Sequence, residues 1–296
     1  MSSAAQTPLA LSIQSHVALG HVGNTAAVLP LQLLGVEALA IHTVQFSNHT
    51  GYGEFKGQVF PAAHVRDLLD GLDARGVLGR IDAVLSGYLG DAATGDVILE
   101  AVARIRQTRP GVRYVCDPVM GDTGRGIFVR PGIPEFLRDR AVPAADVITP
   151  NQFEFEWLSG TRLSSVAEAA QVARGLLRSA RGRPGPELIV VTSLRTPDLP
   201  TEHLATLAVS PGQAWVVETP LLPTEPMPNG MGDVFSAVLL GRLLTGHDVP
   251  RALEHAVSCL YGLVGQVPPG GRDLPLVAAR QEIVAPTARF TAVPLG

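Results

Sequence analysis

The segment with the most chemistry to offer is Asn229-Gly230-Met231-Gly232-Asp233, which opens a strongly apolar stretch. Two glycines at the start of a helix let backbone N–H groups face an anion, and the helix dipole adds partial positive charge there. Asp233, in the first turn, could accept the proton of an attacking hydroxyl. Asn229 or Asp233 could instead be a plain helix cap, and taken alone the pattern favours that structural interpretation.

A second carboxylate lies where a buried strand must end. Asp117 follows the apolar run Arg113–Cys116, and Pro118 cannot continue a central strand. Mg²⁺ takes one or two carboxylates together with phosphate and water oxygens, so Asp117 is a candidate ligand. The glycines of residues 121–126 predict a mobile flap over a ligand. The alternative is an ordinary turn rich in Asp and Gly.

A third polar group joins a strand to a helix at Thr149-Pro150-Asn151-Gln152-Phe153-Glu154. Asn151 and Glu154 are three residues apart and therefore share one helical face. The same spacing describes an N-cap Asn with an N3 Glu, which is a capping pair. Both interpretations stay open on the sequence alone.

Two segments combine aromatic and polar side chains. They are Thr43–Tyr52 and Ser86-Gly87-Tyr88, and their aromatic rings would suit stacking against a flat, polar heterocycle. An ordinary polar loop is the alternative. His16, His21 and His49 do not have the spacing of metal ligands, so each is expected to be a structural hydrogen-bonding group.

The scarcity of lysine limits the chemistry. Lys56 is the only lysine among the 23 Lys and Arg residues, and no GxxxxGK[ST] motif occurs. A bound nucleoside triphosphate would therefore need backbone N–H groups, a metal ion and arginine. Enzymes that depend on pyridoxal phosphate hold it as a Schiff base on lysine, a role open here to Lys56 alone. The net charge of −4 gives no basic surface for nucleic acid.

Cysteine and charge distribution indicate the compartment. Cys116 and Cys259 lie far apart without a CxxC motif, which argues against a disulfide framework or a zinc site. No Lys or Arg precedes Lys56, so the positive region of a signal peptide is missing. The uncharged stretch up to Val36 contains too many polar residues for a membrane span. We expect a cytoplasmic protein that does not bind membranes.

Short apolar runs alternate with helical patterns, which predicts parallel βαβ units with helices on both faces of the sheet. Strands are predicted at Ala10–Gln14, Ala38–Val44, Ala83–Ser86, Arg113–Cys116, Val147–Thr149 and Leu188–Thr192. Helices are predicted between them at Asn24–Leu34, Ala62–Arg75, Ala92–Thr108, Pro134–Arg140, Phe153–Leu158 and Val166–Ala180. We expect one domain over residues 1–296, with the first eight residues flexible.

The pattern changes after residue 200. Leu204–Val209 and Ala214–Glu218 predict a hairpin around a Pro-Gly turn, at an antiparallel edge of the sheet. Three helices are predicted after it, at Gly232–Leu244, Val249–Val264 and Leu274–Val284.

Polar residues follow nearly every predicted strand, and ligands of open α/β sheets bind at the carboxyl ends of the strands. These residues therefore define a candidate site along one edge of the sheet. They are Ser15 and His16, residues 45–53, Gly87 and Tyr88, residues 117–126, Asn151 and Glu154, and Ser193.

Six segments in order carry a family resemblance. Ser15-His16 after the first strand, TVQFSNHTGY, SGYLG, CDPVMGD, TPNQFE and GMGD together resemble the pyridoxal kinases of the ribokinase-like superfamily. The match runs from about Ala10 to the last helices. The resemblance implies an α/β ribokinase-like fold, ATP-dependent phosphorylation of the 5′-hydroxyl of pyridoxal or of pyridoxine and pyridoxamine, and a homodimer.

The resemblance also implies roles residue by residue. Asp233 matches the catalytic base and also a substrate contact. Gly230, Met231 and Gly232 match the family's anion hole. Asp117 and Glu154 match the residues around Mg²⁺ and the phosphates. The positions that line the ATP side of the site correspond to Asp122, Thr149, Asn151, Thr192 and Ser193. Those beside the adenine correspond to Pro220, Leu221 and Leu222. The residues that hold the pyridine ring of the substrate correspond to Ser15, Thr50 and Tyr88, with His49 beside Thr50 in the same pocket.

Some positions depart from the family pattern. Many relatives have Thr at the position of Met231, but its backbone N–H remains available to an anion. Phe128 falls near a flap position that is commonly Tyr.

K⁺ is a candidate second cation.

Three other functions remain open. A hydroxymethylpyrimidine kinase would share the fold and the GxGD chemistry, although the NHTGY and SGY segments favour a pyridine substrate. A non-catalytic carrier could hold pyridoxal phosphate through Lys56. A sugar kinase fits less well, because aromatic contacts for a flat ring are better represented than sugar contacts.

Overall fold

The computed structural model describes residues 7–177 and 185–296. In these residues the strands are β1 Leu9–Leu19, β2 Glu37–Asn48, β3 Gly57–Val59, β4 Ala83–Ser86, β5 Arg113–Cys116, β6 Gly121–Asp122, β7 Gly126–Ile127, β8 Val147–Ile148, β9 Leu188–Leu194, β10 His203–Ser210, β11 Gln213–Pro220 and β12 Val293–Pro294. The α-helices are α1 Asn24–Leu33, α2 Ala62–Asp73, α3 Ala92–Thr108, α4 Ile133–Phe136, α5 Val142–Ala144, α6 Gln152–Ser159, α7 Val166–Leu176, α8 Met231–Leu244, α9 Val249–Gly265 and α10 Arg280–Val284.

Within the described ranges, ten strands form one sheet in the order β12-β11-β10-β9-β8-β5-β4-β1-β2-β3, while β6 and β7 form a separate hairpin. The central pairs from β9 to β2 are all parallel. Both edges are antiparallel: β3 on one side, and β10 to β12 on the other. The predicted mostly parallel sheet with an antiparallel hairpin at its edge is confirmed, and the parallel strands bring their carboxyl ends to one rim.

The sheet separates two hydrophobic cores, because successive side chains of a strand point to opposite faces. Along β1, Leu9, Leu11 and Ile13 belong to the core that α2, α3, α6 and α7 cover. Ala10 belongs to the other core, with residues of α1, α8 and α9. Helices therefore cover both faces, as the nearly continuous apolar strand sequences predict.

The first two strands are longer than predicted. β1 continues past Gln14 to Leu19, and β2 continues past Val44 to Asn48. β4 pairs with β1 only as far as Ile13, so the extended parts of β1 and β2, with β3 paired to β2, form a ribbon beyond the rest of the sheet. The β1–β2 register shifts between Gln14 and His16. Polar side chains are tolerated there because the ribbon lies outside the two cores.

The last predicted helix is mostly wrong. Leu274 and Leu276 are buried, but the helical segment begins only at Arg280. Pro275 precedes a turn, so the apolar spacing that predicted a helix belongs to an irregular segment packed on α8 and α9. The predicted helix Pro134–Arg140 is α4 followed by a π-helical turn, Leu137–Ala141, and α5.

Two predictions fall partly outside the described residues. The predicted helix Val166–Ala180 ends at Leu176, and its positions 178–180 are outside them. Of the eight residues expected to be flexible, 1–6 are also outside, but the Pro8 carbonyl accepts a hydrogen bond from Glu37 N–H at 2.8 Å. No helix in residues 7–177 and 185–296 is both long and apolar enough for a membrane crossing.

Candidate active site

A cavity of about 1260 Å³ opens where the central strands end and α8 begins. Most of the residues that the sequence singled out line it. They are Ser15, His49, Thr50, Tyr88, Asp117, Asp122, Thr149, Asn151, Glu154, Thr192, Ser193, Gly230, Met231, Gly232 and Asp233. The rule that ligands bind at strand ends therefore located this cavity from the sequence.

The predicted adenine wall does not belong to this cavity. Pro220 ends β11 and pairs with His203 at the antiparallel edge. Leu221 N–H donates to the Glu202 carbonyl at 2.7 Å. Leu222 packs against the core that α8 and α9 share. The structure therefore does not bring these three residues together with the others.

In the described residues, no side-chain hydrogen bond caps the start of α8, as is also true of α1 and α2. Side chains do accept a backbone N–H at the starts of α3, α6, α7 and α9. The first N–H groups of a helix have no intrahelical acceptor. The interpretation of Asn229 or Asp233 as a simple cap is therefore wrong, and the first turn of α8 faces the cavity with unused donors.

Gly230 allows this helix start to lie close to the loop after β1. Its φ is +81°, and a Cβ built on it would lie 2.0 Å from the His21 carbonyl oxygen. The preceding residue, Asn229, donates its N–H to the Arg272 carbonyl at 2.8 Å. The loop before α8 is therefore fixed from two sides.

Asp233 and Ser15 are connected through Gly23. Burial raises the pKa of the Asp233 carboxyl, and the backbone N–H of Gly23 partly opposes this effect. Gly23 has φ +55°, and a Cβ there would lie 2.2 Å from the Ser15 carbonyl oxygen and 2.3 Å from Ser15 Oγ. The acid at the start of α8 thus lies against the same glycine as the serine of β1.

Asp117 is 4% exposed and lies at the end of β5. Burial and the neighbouring carboxylates of Glu154 and Asp233 raise its pKa well above the ordinary value, while a hydrogen bond from Ser236 opposes this. A Cβ added to Gly232 would lie 3.5 Å from Asp117 Oδ2, so this carboxylate faces the start of α8. A cation bound here would relieve the repulsion among the three acids.

Ser236 is a site residue that the sequence reasoning missed. Its Oγ donates to Asp117 Oδ2 at 3.2 Å and lies 2.8 Å from Thr149 Oγ1. It follows Asp233 by three residues and so lies on the same face of α8. That spacing was the signal available in the sequence.

Glu154 is both a helix cap and part of the cavity wall. Its Oε1 accepts the Met120 N–H at 2.9 Å and the Gly121 N–H at 3.4 Å, and its Oε2 accepts the Asn151 N–H at 2.9 Å. Asn151 Oδ1 accepts the Glu154 N–H in return, which completes the capping box. Burial raises the Glu154 pKa to about 8 although the three N–H groups lower it. The capping interpretation is confirmed and does not exclude a role in binding.

His49 and Thr50 begin a short 3₁₀ turn, Thr50–Tyr52, at the end of β2. His49 Nδ1 accepts the Gly51 N–H at 3.2 Å, which requires that nitrogen to be unprotonated. Burial lowers the His49 pKa, the charge of Arg125 lowers it further, and Asp273 opposes both. A neutral imidazole therefore lies beside Thr50 in the cavity.

The aromatic side chains that line the cavity are Phe46, Phe55, Phe60, Tyr88 and Phe128. Tyr52, which the sequence grouped with them, instead donates its hydroxyl to Asp273 Oδ2. The pKa of Tyr88 is raised by burial. The cavity thus offers several aromatic rings in addition to its acids.

Thr192 and Ser193 continue β9 at the far side of the cavity. Thr192 N–H donates to the Pro150 carbonyl at 2.9 Å. Ser193 has φ +56°, the one positive value found for a residue other than glycine in the described ranges. Such strained conformations concentrate at functional sites.

Lys56 lies between Phe55 and Gly57, which line the main cavity, but its own contacts are with a different pocket. It lines a second, smaller pocket of about 520 Å³ with Ser47, Gly53, Glu54 and Phe55, and it is not among the residues that line the main cavity. The geometry therefore gives no support to a carrier that holds a ligand through this lysine.

The acidic residues of the cavity fit a hard divalent cation whose remaining coordination positions are filled by oxygens of a bound ligand. No group of three or more His, Cys, Asp or Glu side chains within residues 7–177 and 185–296 could hold a metal ion alone. Mg²⁺ in phosphate sites needs only one or two carboxylates, with phosphate and water oxygens supplying the rest. Asp117 provides one, buried against two further acids.

Comparisons with known proteins place this geometry in context. Residues 31–274 match the family model described as phosphomethylpyrimidine kinase. Pyridoxal kinase PdxY of Rubrobacter xylanophilus is 51% identical over 282 residues, 95% of each chain. Pyridoxal kinase PdxY of Granulibacter bethesdensis is 50% identical over 95% of this chain and 98% of its own. The structure of pyridoxal kinase from Leishmania donovani with ADP and pyridoxine has a TM-score of 0.87 at 30% identity, covering 97% of this chain and 99% of that one.

Proposed function

This chain belongs to the pyridoxal kinases, and from that premise we propose that it transfers the γ-phosphoryl group of ATP to the 5′-hydroxyl of pyridoxal. The products are pyridoxal 5′-phosphate and ADP, and the reaction serves vitamin B6 salvage. Relatives from Leishmania donovani bind ADP with pyridoxine or pyridoxamine, so these vitamers are further candidate substrates. The observation that carries the proposal is the uncapped start of α8, with Asp233 in its first turn and Asp117 facing it.

Asp233 has the properties of a base for this transfer. Its carboxylate orients the alcohol of the vitamer and accepts its proton as the oxygen attacks phosphorus. The N–H groups at the start of α8 stabilise the negative charge on the phosphoryl oxygens. Positioning and electrostatic stabilisation supply most of the rate in such phosphoryl transfers.

We propose that the cation is Mg²⁺, bound with ATP. It would neutralise charge on the phosphates. Asp117 is the better direct ligand, because three N–H groups already occupy much of the Glu154 carboxylate. Glu154 would orient water at the site, and K⁺ remains a candidate second cation.

Asp122, Thr149, Asn151, Thr192 and Ser193 would contact the nucleotide, and Ser15, His49, Thr50 and Tyr88 the vitamer. Their common cavity supports these assignments. Pro220, Leu221 and Leu222 would contact adenine only if it extends beyond this cavity. Met231 would contribute its backbone N–H together with Gly230 and Gly232.

The family model is described by a different substrate, so a hydroxymethylpyrimidine kinase is the second candidate. Steady-state kinetics with Mg-ATP should compare pyridoxal, pyridoxine, pyridoxamine and hydroxymethylpyrimidine, with ADP formation as the readout. We expect the highest kcat/KM with a B6 vitamer. Preference for the pyrimidine would replace the proposal, and tight pyridoxal binding without ATP-dependent product would favour a carrier.

We further propose that the chain works as one domain over residues 1–296 and as a cytoplasmic homodimer. The full-length similarity to the pyridoxal kinases PdxY supports the single domain. Light scattering coupled to size-exclusion chromatography measures the oligomeric state, and a monomeric mass for the active protein would contradict the homodimer.

A further inference from the structure

The wall of the main cavity is short of positive charge. Its side-chain cations are Arg125 and Arg130, and its carboxylates are those of Asp91, Asp117, Asp122, Glu154 and Asp233. A nucleoside triphosphate adds several more negative charges. A metal ion and backbone N–H groups stabilise part of this negative charge. An arginine is suited to stabilising the remainder, because its planar guanidinium donates paired hydrogen bonds to phosphate oxygens.

Arg125 lies in the turn of the β6–β7 hairpin, between Gly124 and Gly126. The base of the hairpin is tightly packed, since a Cβ on Gly121 would lie 2.3 Å from the Phe153 ring. At the tip, no atom lies within 4 Å of a Cβ built on Gly124 or Gly126. The hairpin is therefore anchored at its base and has room to move at the residue that carries the charge.

The Arg125 guanidinium has no carboxylate partner in the part of the chain that the structure describes. It lies 4.9 Å from the centroid of the Phe128 ring. By contrast, Arg104, Arg106 and Arg109 each form ion pairs with aspartates. The donors of Arg125 are thus available to a ligand, while the ring of Phe128 supports the orientation of the guanidinium.

Arg125 lines the same cavity as Asp117, Asp233 and the start of α8. Its charge contributes to the lowered pKa of His49, which lies on the vitamer side. Its backbone N–H donates to the Asp122 carbonyl at 3.2 Å, which closes the turn of the hairpin and fixes Arg125 at its tip. A phosphoryl group bound in this cavity is therefore within the same enclosure as this guanidinium.

We propose that Arg125 is a catalytic residue that binds the migrating phosphoryl group and then holds the 5′-phosphate of the product. During transfer the bond from the γ-phosphorus to the β-γ bridging oxygen breaks, and ADP leaves with those electrons. A bond forms from phosphorus to the 5′-oxygen, whose proton goes to Asp233. Arg125 donates to the non-bridging oxygens throughout. The inference rests on the proposed function.

Arg125→Ala and Arg125→Lys test the role in turnover. We expect kcat to fall about 100-fold in Arg125→Ala, because a charge that stabilises the transition state is lost. The lysine variant should be intermediate, since it keeps the charge and loses the paired donors. Arg138→Ala is the matched control, because Arg138 also lies over an aromatic ring, 5.3 Å from the Trp157 centroid, but does not line the cavity.

Chemical rescue separates a direct role from a structural one. Guanidinium chloride, well below denaturing concentrations, should restore part of the activity of Arg125→Ala and none of that of Asp233→Asn. Urea at the same concentration has a similar shape without the charge and should restore neither. Rescue by urea as effective as rescue by guanidinium would contradict a role for the charge.

Binding gives a readout that does not depend on turnover. Absorbance titration with pyridoxal 5′-phosphate should show about tenfold weaker binding to Arg125→Ala than to the wild-type protein, with pyridoxal binding unchanged. If the wild-type chain turned over no vitamer, the proposed function would fail, and this titration would still decide the role of Arg125. Wild-type kcat together with wild-type affinity for the phosphorylated vitamer in Arg125→Ala would overturn the inference.

Discussion

Ser236 Oγ lies 3.2 Å from Asp117 Oδ2 and donates to it, so α8 is hydrogen-bonded to the end of β5 one turn beyond Asp233. The same hydroxyl lies 2.8 Å from Thr149 Oγ1, at the end of β8. The Ser236 side chain therefore connects α8, which carries the proposed base Asp233, to the ends of β5 and β8. It also counteracts the burial that favours protonation of Asp117.

Replacing Ser236 by Ala should impair the metal–nucleotide side of the site. Asp117 would lose a donor and bind its proton more tightly, so we expect KM for Mg-ATP to rise about tenfold, equivalent to about 1.4 kcal/mol. KM for pyridoxal should change little. Ser258→Ala is the control, because Ser258, on α9, is also buried and its Oγ accepts the Phe290 N–H. Equal kinetic effects of the two variants would contradict a specific role for Ser236.

Asp233→Asn should abolish turnover without abolishing binding. The amide keeps the shape of the carboxylate but cannot accept the proton, so kcat should fall about 10²- to 10⁴-fold. Calorimetric titration with pyridoxal and with ATP should give affinities near those of the wild-type protein. Asp248→Asn changes an aspartate that caps α9 and should keep kcat. Near-normal kcat in Asp233→Asn would exclude the proposed base.

The raised pKa of Asp233 predicts an acid limb in the pH profile of kcat. The reaction requires the carboxylate, so the rate should rise with pH through the pKa of this group. Because burial raises that pKa, the midpoint should lie above the ordinary value of 3.8. Measurements at saturating Mg²⁺ suppress a contribution from Asp117. A midpoint at or below 3.8 would be inconsistent with a buried base.

Gly230→Ala should damage the start of α8 through a collision with the backbone. The added Cβ would lie 2.0 Å from the His21 carbonyl oxygen, so the loop must move and the N–H groups of the first turn with it. Gly246→Ala is the matched control, since Gly246 has φ +90° and no atom within 4 Å of the added Cβ. Both variants should lose about 1 kcal/mol or more of stability from the positive φ. Only Gly230→Ala should also lose ATP affinity, measured by calorimetry on the folded protein.

The parallel centre of the sheet was predictable because its strands are buried on both faces. Ala83–Ser86 and Arg113–Cys116 are short, mostly apolar sequences with strong turn signals after them, and their bounds agree with the structure. The extension of β1 was not predicted, because Ser15 and His16 resemble the polar end of a strand, whereas pairing with β2 continues the strand to Leu19. The leucines at 274 and 276 misled the helix assignment because buried irregular segments can have helical spacing.

Much of the site followed from one rule, that ligands bind where parallel strands end. It identified Asp117 and Glu154 without knowledge of their contacts. Ser236 was missed because it lies inside an apolar helix, and Arg125 because a glycine-rich turn does not show where its side chain points. Both depend on which distant residues the fold brings together, and a single sequence does not contain that information directly.

The close contact between Gly23 and Ser15 has a consequence for how such an enzyme could change its substrate. A side chain at position 23 would strike the main-chain oxygen of residue 15 as well as its hydroxyl, so no replacement at position 15 could make room for it. The wall beside the acid is thus closed to variation by the main chain itself. The aromatic wall consists of side chains such as Phe46 and Tyr88, which can be exchanged one at a time. Divergence between kinases for pyridines and for pyrimidines should therefore accumulate on the aromatic wall, while the wall next to the acid stays the same.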